Sequence, residues 1–174
     1  LSNIVYRIRR PLAIIGLDKL IVGKSGTFVI NPAYHIHTDF DRFEGNCRQL
    51  ERTSDPDMRC ALYHKAVELY KGHLLPRIEH EIWHMQLDMY YQTLYLTITK
   101  GYARYKLERK NYTDALREIK NAMQLAPGDS ELSMLAVLAA WYQGGRVLAR
   151  RYYEAVKKYL DGDQIIQIRT QLGF

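Results

Sequence analysis

The sequence lacks the features that mark secreted and membrane proteins. Two cysteines, Cys47 and Cys60, are too few for a disulfide framework, and we expect both to be reduced thiols. No apolar run approaches the roughly 20 residues that a bilayer requires, and no secretory signal opens the chain. These absences predict a cytoplasmic protein with no membrane segment. The chain begins at Leu1 rather than at a methionine, and we expect it to be a piece of a longer protein.

Signatures of enzymes are almost absent as well, with no phosphate-binding loop and no serine-nucleophile elbow. One pattern points to zinc chemistry: His80 and His84 lie one helical turn apart, and Glu81 stands between them. A catalytic zinc needs a third protein ligand, and the nearest candidate, Glu108, would lie about 36 Å away along the same predicted helix. We therefore expect no enzyme activity, no metal and no other cofactor. The pattern favours the first turn of a long helix, with Trp83 as its anchor in the core.

The net charge of +6 is unevenly distributed along the chain. Residues 1–38 contain one acidic side chain and five basic ones, which are Arg7, Arg9, Arg10, Lys19 and Lys24. The rest of the chain is close to neutral. A basic end on a nearly neutral body predicts a localised contact with a polyanion.

The pattern of apolar residues changes near residue 39. Before it, we predict a short helix that ends near Pro11, followed by a β-hairpin over residues 20–30. After it, we predict helices only, over about residues 39–52, 57–71, 79–109, 111–126, 130–143, 147–160 and 164–172. The fold class is therefore mainly all-α, with a short helix and a hairpin in front.

The helix that starts near residue 111 shows the clearest repeat signal. Ala115, Ile119 and Ala122 line one face of it, and the pair Ala149 and Tyr153 follows the first two at a distance of 34 residues. This period is the length of a tetratricopeptide helix hairpin. The sequence therefore resembles stacked tetratricopeptide-like hairpins. That resemblance implies a concave partner-binding groove lined by Lys100, Arg104, Met134, Leu138 and Trp141.

A more specific resemblance is found just upstream of this repeat. Residues 69–76, LYKGHLLP, followed by Trp83 and the helical hairpins, resemble the bacterial transcriptional activator domain of antibiotic-regulatory activators. In front of it, residues 4–10, IVYRIRR, and the hairpin over 20–30 are similar to the recognition-helix tail and wing of a winged-helix domain. The resemblance implies that residues 1–38 are the end of a winged-helix DNA-binding domain. It also implies that residues 39–174 are the tetratricopeptide-like activator domain.

These resemblances imply the regulatory domain of a bacterial transcriptional activator. It would act by protein contact, with transcription machinery or with itself as a homodimer, while the winged helix of the full-length protein binds DNA. The DNA contacts would fall on Arg7, Arg9, Arg10 and Lys24, and this fragment alone would bind DNA weakly or not at all. A second hypothesis is a tetratricopeptide scaffold that binds a peptide and has no link to transcription. A distant third is a zinc hydrolase at His80, Glu81 and His84.

Overall fold

The computed structural model describes residues 2–78 and 81–173, which divide into two compact units. Unit 1 is Leu1–Thr38 and unit 2 is Asp39–Phe174. Unit 1 contains a helix and a β-hairpin, and the described part of unit 2 contains only helices and turns.

Unit 1 consists of α1 (Ser2–Ile14) and the antiparallel strands β1 (Ile21–Lys24) and β2 (Thr27–Ile30). Lys24 pairs with Thr27, so Ser25 and Gly26 alone form the turn. Their φ angles of 49° and 80° are typical of the type I′ turn, whose twist matches that of the strands. The predicted hairpin is confirmed.

The first helix continues beyond its proline, so the prediction that it ends near Pro11 is wrong. A proline inside a helix removes one backbone hydrogen bond and crowds the carbonyl one turn earlier, yet it leaves the following residues free to bond. The helix ends instead before Gly16, which has a φ of 75°. The Leu17 N–H donates to the Leu12 carbonyl at 2.8 Å, which closes the helix end.

Unit 2 is a stack of consecutive helices, each packed against the next along the chain. They are α2 (Asp39–Arg52), α3 (Pro56–Leu69), α4 (Ile82–Glu108), α5 (Tyr112–Leu125), α6 (Ser130–Val156) and α7 (Gly162–Leu172). A 3-10 turn, Lys157–Tyr159, joins the last two. None of the described helices combines the length and hydropathy needed to cross a membrane.

Polar caps set where these helices begin. The side chain of Asp55 accepts from the Asp57 N–H at 3.2 Å at the start of α3. Asp129 does the same for the Leu132 N–H at 2.9 Å at the start of α6. Each cap satisfies a backbone donor that has no partner within the helix.

A backbone break divides α6 into two halves. Gly144 and Gly145 have non-helical angles, and the φ of Gly145 is 66°. The sequence predicted two helices that meet at these glycines, and the break confirms this. The second half can therefore fold back along the first.

The predicted repeat face is buried in the helical stack. Ala115, Ile119 and Ala122 are all fully buried, and so are Ala149 and, almost completely, Tyr153. Small side chains at these positions bring neighbouring helices close together, where packing is dense. The fold class predicted from the sequence is confirmed: stacked helix hairpins follow a short helix and a hairpin.

Both cysteines are free thiols, as predicted. Burial, with contributions from Glu44 and Glu51, raises the pKa of the Cys47 thiol to about 12. The thiol therefore stays protonated and packs as a small apolar side chain.

The start of α4 differs from the prediction. Trp83 is 48% exposed, so the expectation that it anchors the helix in the core is wrong. Neighbouring helix residues point about 100° apart, and it is His84 that faces inward. Its Nε2 donates to the carbonyl of Leu74 in the loop before the helix.

The carboxylate of Asp88 also binds this loop to α4. Asp88 accepts the Leu74 N–H at 2.7 Å and contacts the His73 ring at 2.8 Å. Burial alone would raise the pKa of Asp88, but hydrogen bonds from His73 and from the Leu74 N–H outweigh it and hold that pKa below its usual range. The loop that follows α3 is thereby held against α4.

Candidate functional site

A groove of about 540 Å³ opens between the C-terminal half of α4 and the first half of α6. Both walls follow helical periodicity, since their lining residues recur at spacings of three and four. Helix α4 contributes Arg104, Leu107 and Glu108, and α6 contributes Glu131, Met134, Leu135, Leu138 and Tyr142. Lys110 and Tyr112 complete the groove from the turn into α5. The volume lies within the range of about 300–1,000 Å³ that is usual for binding sites.

The floor of the groove is apolar and is attached to both parts of the core. Leu107 packs against the core cluster formed by α2 to α6. Met134 and Leu138 pack against the second cluster, which α6 and α7 form. A floor held on both sides offers a preorganised apolar surface, which lowers the entropy cost of binding a partner.

One end of the groove presents a pair of aromatic rings. Tyr112 and Tyr142 stack with their centroids 5.1 Å apart and an interplanar angle of 18°. Tyr142 is 56% exposed although it belongs to the groove wall. An exposed tyrosine beside an apolar floor is a composition that partner-binding surfaces favour.

Ion pairs close the opposite end. Arg104 of α4 forms an ion pair with Glu131 of α6. One turn earlier, Lys100 pairs with Asp129 at 2.6 Å and with Glu131 at 3.3 Å. These pairs connect the two walls and neutralise that end, so the charge at the rim is balanced.

Three of the five predicted groove residues line this groove, namely Arg104, Met134 and Leu138. Lys100 does not line it, because its ammonium is occupied by Asp129 and Glu131. Trp141 packs against the second core cluster. The sequence predicted that all five line one surface. In the structure, Lys100 forms ion pairs and Trp141 packs against the core instead.

Seven lining residues were not predicted from the sequence, and one of them is Glu131, which lies three positions before Met134. Leu107 and Glu108 follow Arg104 by three and four positions, and Leu135 and Tyr142 each lie four positions after a residue already on that face or its edge. Helical spacing could therefore have found them. Lys110 lies in the turn before α5 and Tyr112 is the first residue of α5, so neither belongs to the periodic pattern of α4 or α6, and only the folded chain identifies them.

A second groove, of about 590 Å³, runs between α3 and α5. Four of its charged groups pair with one another: Asp114 pairs with Lys106 at 3.2 Å and with Arg117 at 2.8 Å, and Arg117 reaches Glu118 at 3.1 Å. The side-chain amide of Asn111 and the Lys106 ammonium hold the pKa of Asp114 below its usual range. These contacts stabilise the packing of α4 on α5, and we assign the groove no partner.

The predicted DNA-contacting residues fall at different places within unit 1. Arg7 and Arg10 are exposed on α1, and Lys24 is exposed at the end of β1. Arg9 is half-buried, and its guanidinium donates two hydrogen bonds to the Ile21 carbonyl, at 2.6 and 3.1 Å. Arg9 thereby ties α1 to the hairpin.

The histidine pattern is only partly described. His80 lies outside the described residues, Glu81 precedes the first residue of α4 without a side-chain capping bond, and His84 is bonded to the loop carbonyl. Among the residues that the structure describes, no three potential metal ligands lie close together.

The helical unit that contains the groove also matches a known family. Residues 38–165 match the family model of the bacterial transcriptional activator domain, which covers well over half of the chain. The matched range contains α2 to α6 and reaches into α7. A search of the curated proteins found no match.

Proposed function

Since the chain belongs to the bacterial transcriptional activator domain family, we propose that it is the effector part of a transcriptional activator and works by protein contact. The contact surface is the groove between α4 and α6. Such a protein would act in the cytoplasm, beside bacterial DNA. The partner would be a segment of the transcription machinery or a second copy of the chain.

One observation carries this proposal: the groove has an apolar floor and charges only at its rim. A partner segment could place two or three apolar side chains on Met134 and Leu138 and a further one against Tyr142. Lys110 and Glu108 have no ion-pair partner among the described residues, so they are free to orient charges of the partner. An apolar centre with a polar rim is the usual arrangement of protein interfaces.

Transcriptional activation tests the proposal directly. The whole chain would be fused to a DNA-binding domain whose operator is known and placed upstream of a weak promoter that drives a reporter. Tyr142→Ala removes an exposed ring and little packing, and we expect it to reduce activation about tenfold. A second variant, Met134→Ala, should act in the same direction.

Ile166→Ala serves as the matched control, because Ile166 is an exposed apolar residue of α7 outside the groove. It should leave activation unchanged. Thermal unfolding of each variant separates loss of contact from loss of fold. Full activation by both groove variants at normal protein levels would refute the assignment of the groove.

Unit 1 supplies the DNA contact in this proposal, as the end of a winged helix. Its support is a basic helix followed by a tight hairpin, with Arg7 and Arg10 exposed on α1 and Lys24 exposed on the hairpin. In the full-length protein, Arg7→Ser together with Arg10→Ser should reduce the salt dependence of DNA affinity by about two counterions. An unchanged slope would contradict these contacts.

The peptide-scaffold hypothesis uses the same groove but has no role in transcription. The reporter distinguishes the two, because a scaffold would bind its peptide and leave the promoter inactive. Family membership is the observation that favours the activator.

A further inference from the structure

The second half of α6 and the turn after it form a strongly basic surface. We call it the basic face, and its members are Arg146, Arg150, Arg151, Lys157 and Lys158, with Val147 and Glu154 between them. All seven side chains are exposed. Five of them line a shallow depression on one side of the helix, namely Arg146, Val147, Arg150, Arg151 and Glu154.

The spacing explains why these side chains share a face. Residues 146, 150, 154 and 157 follow one another at intervals of four and three, which is one side of a helix. Residues 147, 151 and 158 lie beside them, at intervals of four and seven. Within α6 the basic face therefore extends over about 12 Å from Arg146 to Glu154, at 1.5 Å per residue, and Lys157 and Lys158 follow in the 3-10 turn.

Little of this positive charge is neutralised within the described chain. Lys157 pairs with Glu154 at 2.6 Å, and Arg146 donates to the Gly173 carbonyl at 2.6 Å and keeps its charge. Arg150 and Arg151 have neither an ion-pair nor a hydrogen-bond partner among the described residues. Unit 2 is nearly neutral as a whole, so the net positive charge of the basic face is offset by acidic residues elsewhere in the unit.

We propose that the basic face binds the phosphate backbone of duplex DNA without reading its sequence. This rests on the proposed function, because an activator works beside DNA. Arginine guanidinium groups bind phosphate well, and a row of them about 6 Å apart can contact successive phosphates of one strand. The contact would hold the helical unit against DNA that flanks the site read by the DNA-binding unit.

The composition of the basic face favours DNA over an acidic protein segment. Protein interfaces have an apolar centre from which charged residues are depleted. Here the single apolar side chain is Val147, which is 77% exposed and has no apolar neighbour on the face. A charged surface without an apolar centre gains its affinity for a polyanion chiefly from the release of counterions. Duplex DNA carries a dense layer of condensed counterions.

The test measures binding of the whole chain to a labelled random-sequence duplex of about 20 base pairs, over about 50–200 mM salt. Fluorescence anisotropy gives the affinity and its salt dependence. Arg150→Ser with Arg151→Ser removes two exposed cations that form no ion pair or hydrogen bond with the described residues. We expect this double variant to reduce the salt slope by about two and the affinity at low salt at least tenfold.

The matched control is Arg42→Ser with Lys65→Ser, which removes the same charge from exposed positions on α2 and α3. It should leave the slope and the affinity nearly unchanged. Equal losses in the control and the test variant would show a net-charge effect and overturn the proposal. Polyglutamate that binds the chain as tightly as the duplex would overturn it in favour of an acidic protein partner.

Failure of this proposal and failure of the proposed function give different results. The activation reporter responds to Tyr142→Ala, a residue that the basic face does not include. Within the DNA assay, Arg7→Ser with Arg10→Ser reports on unit 1 separately. An unchanged slope for the Arg150 and Arg151 variant therefore overturns the basic face alone.

Discussion

The ring of Tyr63 lies directly against the backbone of Gly101, so closely that a Cβ at position 101 would lie 2.8 Å from the Tyr63 hydroxyl oxygen. Gly101 lies inside α4, about two turns before its end, where glycine is otherwise unfavourable. Tyr63 stacks on Tyr102 at a centroid distance of 5.4 Å, and its hydroxyl accepts from Arg59 at 3.0 Å. The absence of a side chain at Gly101 therefore allows α3 and α4 to approach closely.

Gly101→Ala should destabilise the protein for this reason, although alanine favours helix. Crowding of a buried, bonded ring costs about 1–3 kcal/mol, against a gain of about 1 kcal/mol in helix propensity. Urea unfolding measures the difference. In a double-mutant cycle, Tyr63→Phe should relieve part of the loss, and strict additivity of the two changes would contradict the close contact.

Gly145→Ala should weaken the break in α6. The φ of Gly145 is 66°, a conformation that costs other residues of order 1–3 kcal/mol. We expect a lower melting temperature and looser packing of the second half of α6. Gly162→Ala is the control, because Gly162 starts α7 with a helical backbone and free space around it. The control should be neutral or slightly stabilising.

Asp88 should contribute a stability that depends on pH. Its folded pKa lies below the usual value of 3.8 because bonds from His73 and the Leu74 N–H outweigh the effect of burial. The ionised carboxylate therefore stabilises the fold above about pH 4, and this contribution disappears as the pH falls through the folded pKa.

Asp88→Ala should cost about 1–3 kcal/mol at neutral pH, because it leaves the loop donors unpaired. Asp88→Asn should lose the acid-dependent part of the stability while it keeps the loop in place. Denaturant unfolding at pH 7 and at pH 3 measures both effects. The exposed Asp163→Asn is the control, and an Asp88→Asn variant as pH-dependent as the parent would contradict the role of the carboxylate.

Ala122→Leu should destabilise the stack by about 1–3 kcal/mol, because the site is fully buried and has no room for three more carbons. The same change at the exposed Ala61 of α3 should have almost no effect on the free energy of unfolding. Chemical denaturation of the two variants gives the comparison. Equal stability of both would show that the alanine face does not set the helix spacing.

The local signals along the chain were sufficient for most of the fold. Alanine and isoleucine at helical spacing, the Pro56 start of α3 and the paired glycines of α6 each act within a few residues, so their effects can be derived from the sequence. The signals that predicted the hairpin were equally local. The end of α1 was predicted wrongly at Pro11. The hydrogen bonds that close this helix lie after the proline, at Gly16 and Leu17, and they form with the proline in place.

The functional surfaces depended on contacts between distant residues. Lys100 belongs to ion pairs with Asp129 and Glu131, about 30 positions away, and helical periodicity cannot assign such a partner. Arg9 bonds to the Ile21 carbonyl because the chain brings β1 beside α1.

By itself, the sequence determined the helices, the hairpin, the buried alanine face and the resemblance to an activator domain, because each rests on short-range spacing. The tertiary structure alone decided which exposed residues share a surface. It turned Trp83 outward and His84 inward, and it joined Tyr112 to Tyr142 across 30 residues. Packing selects one face of each helix for the core, and the faces left over form the groove and the basic face.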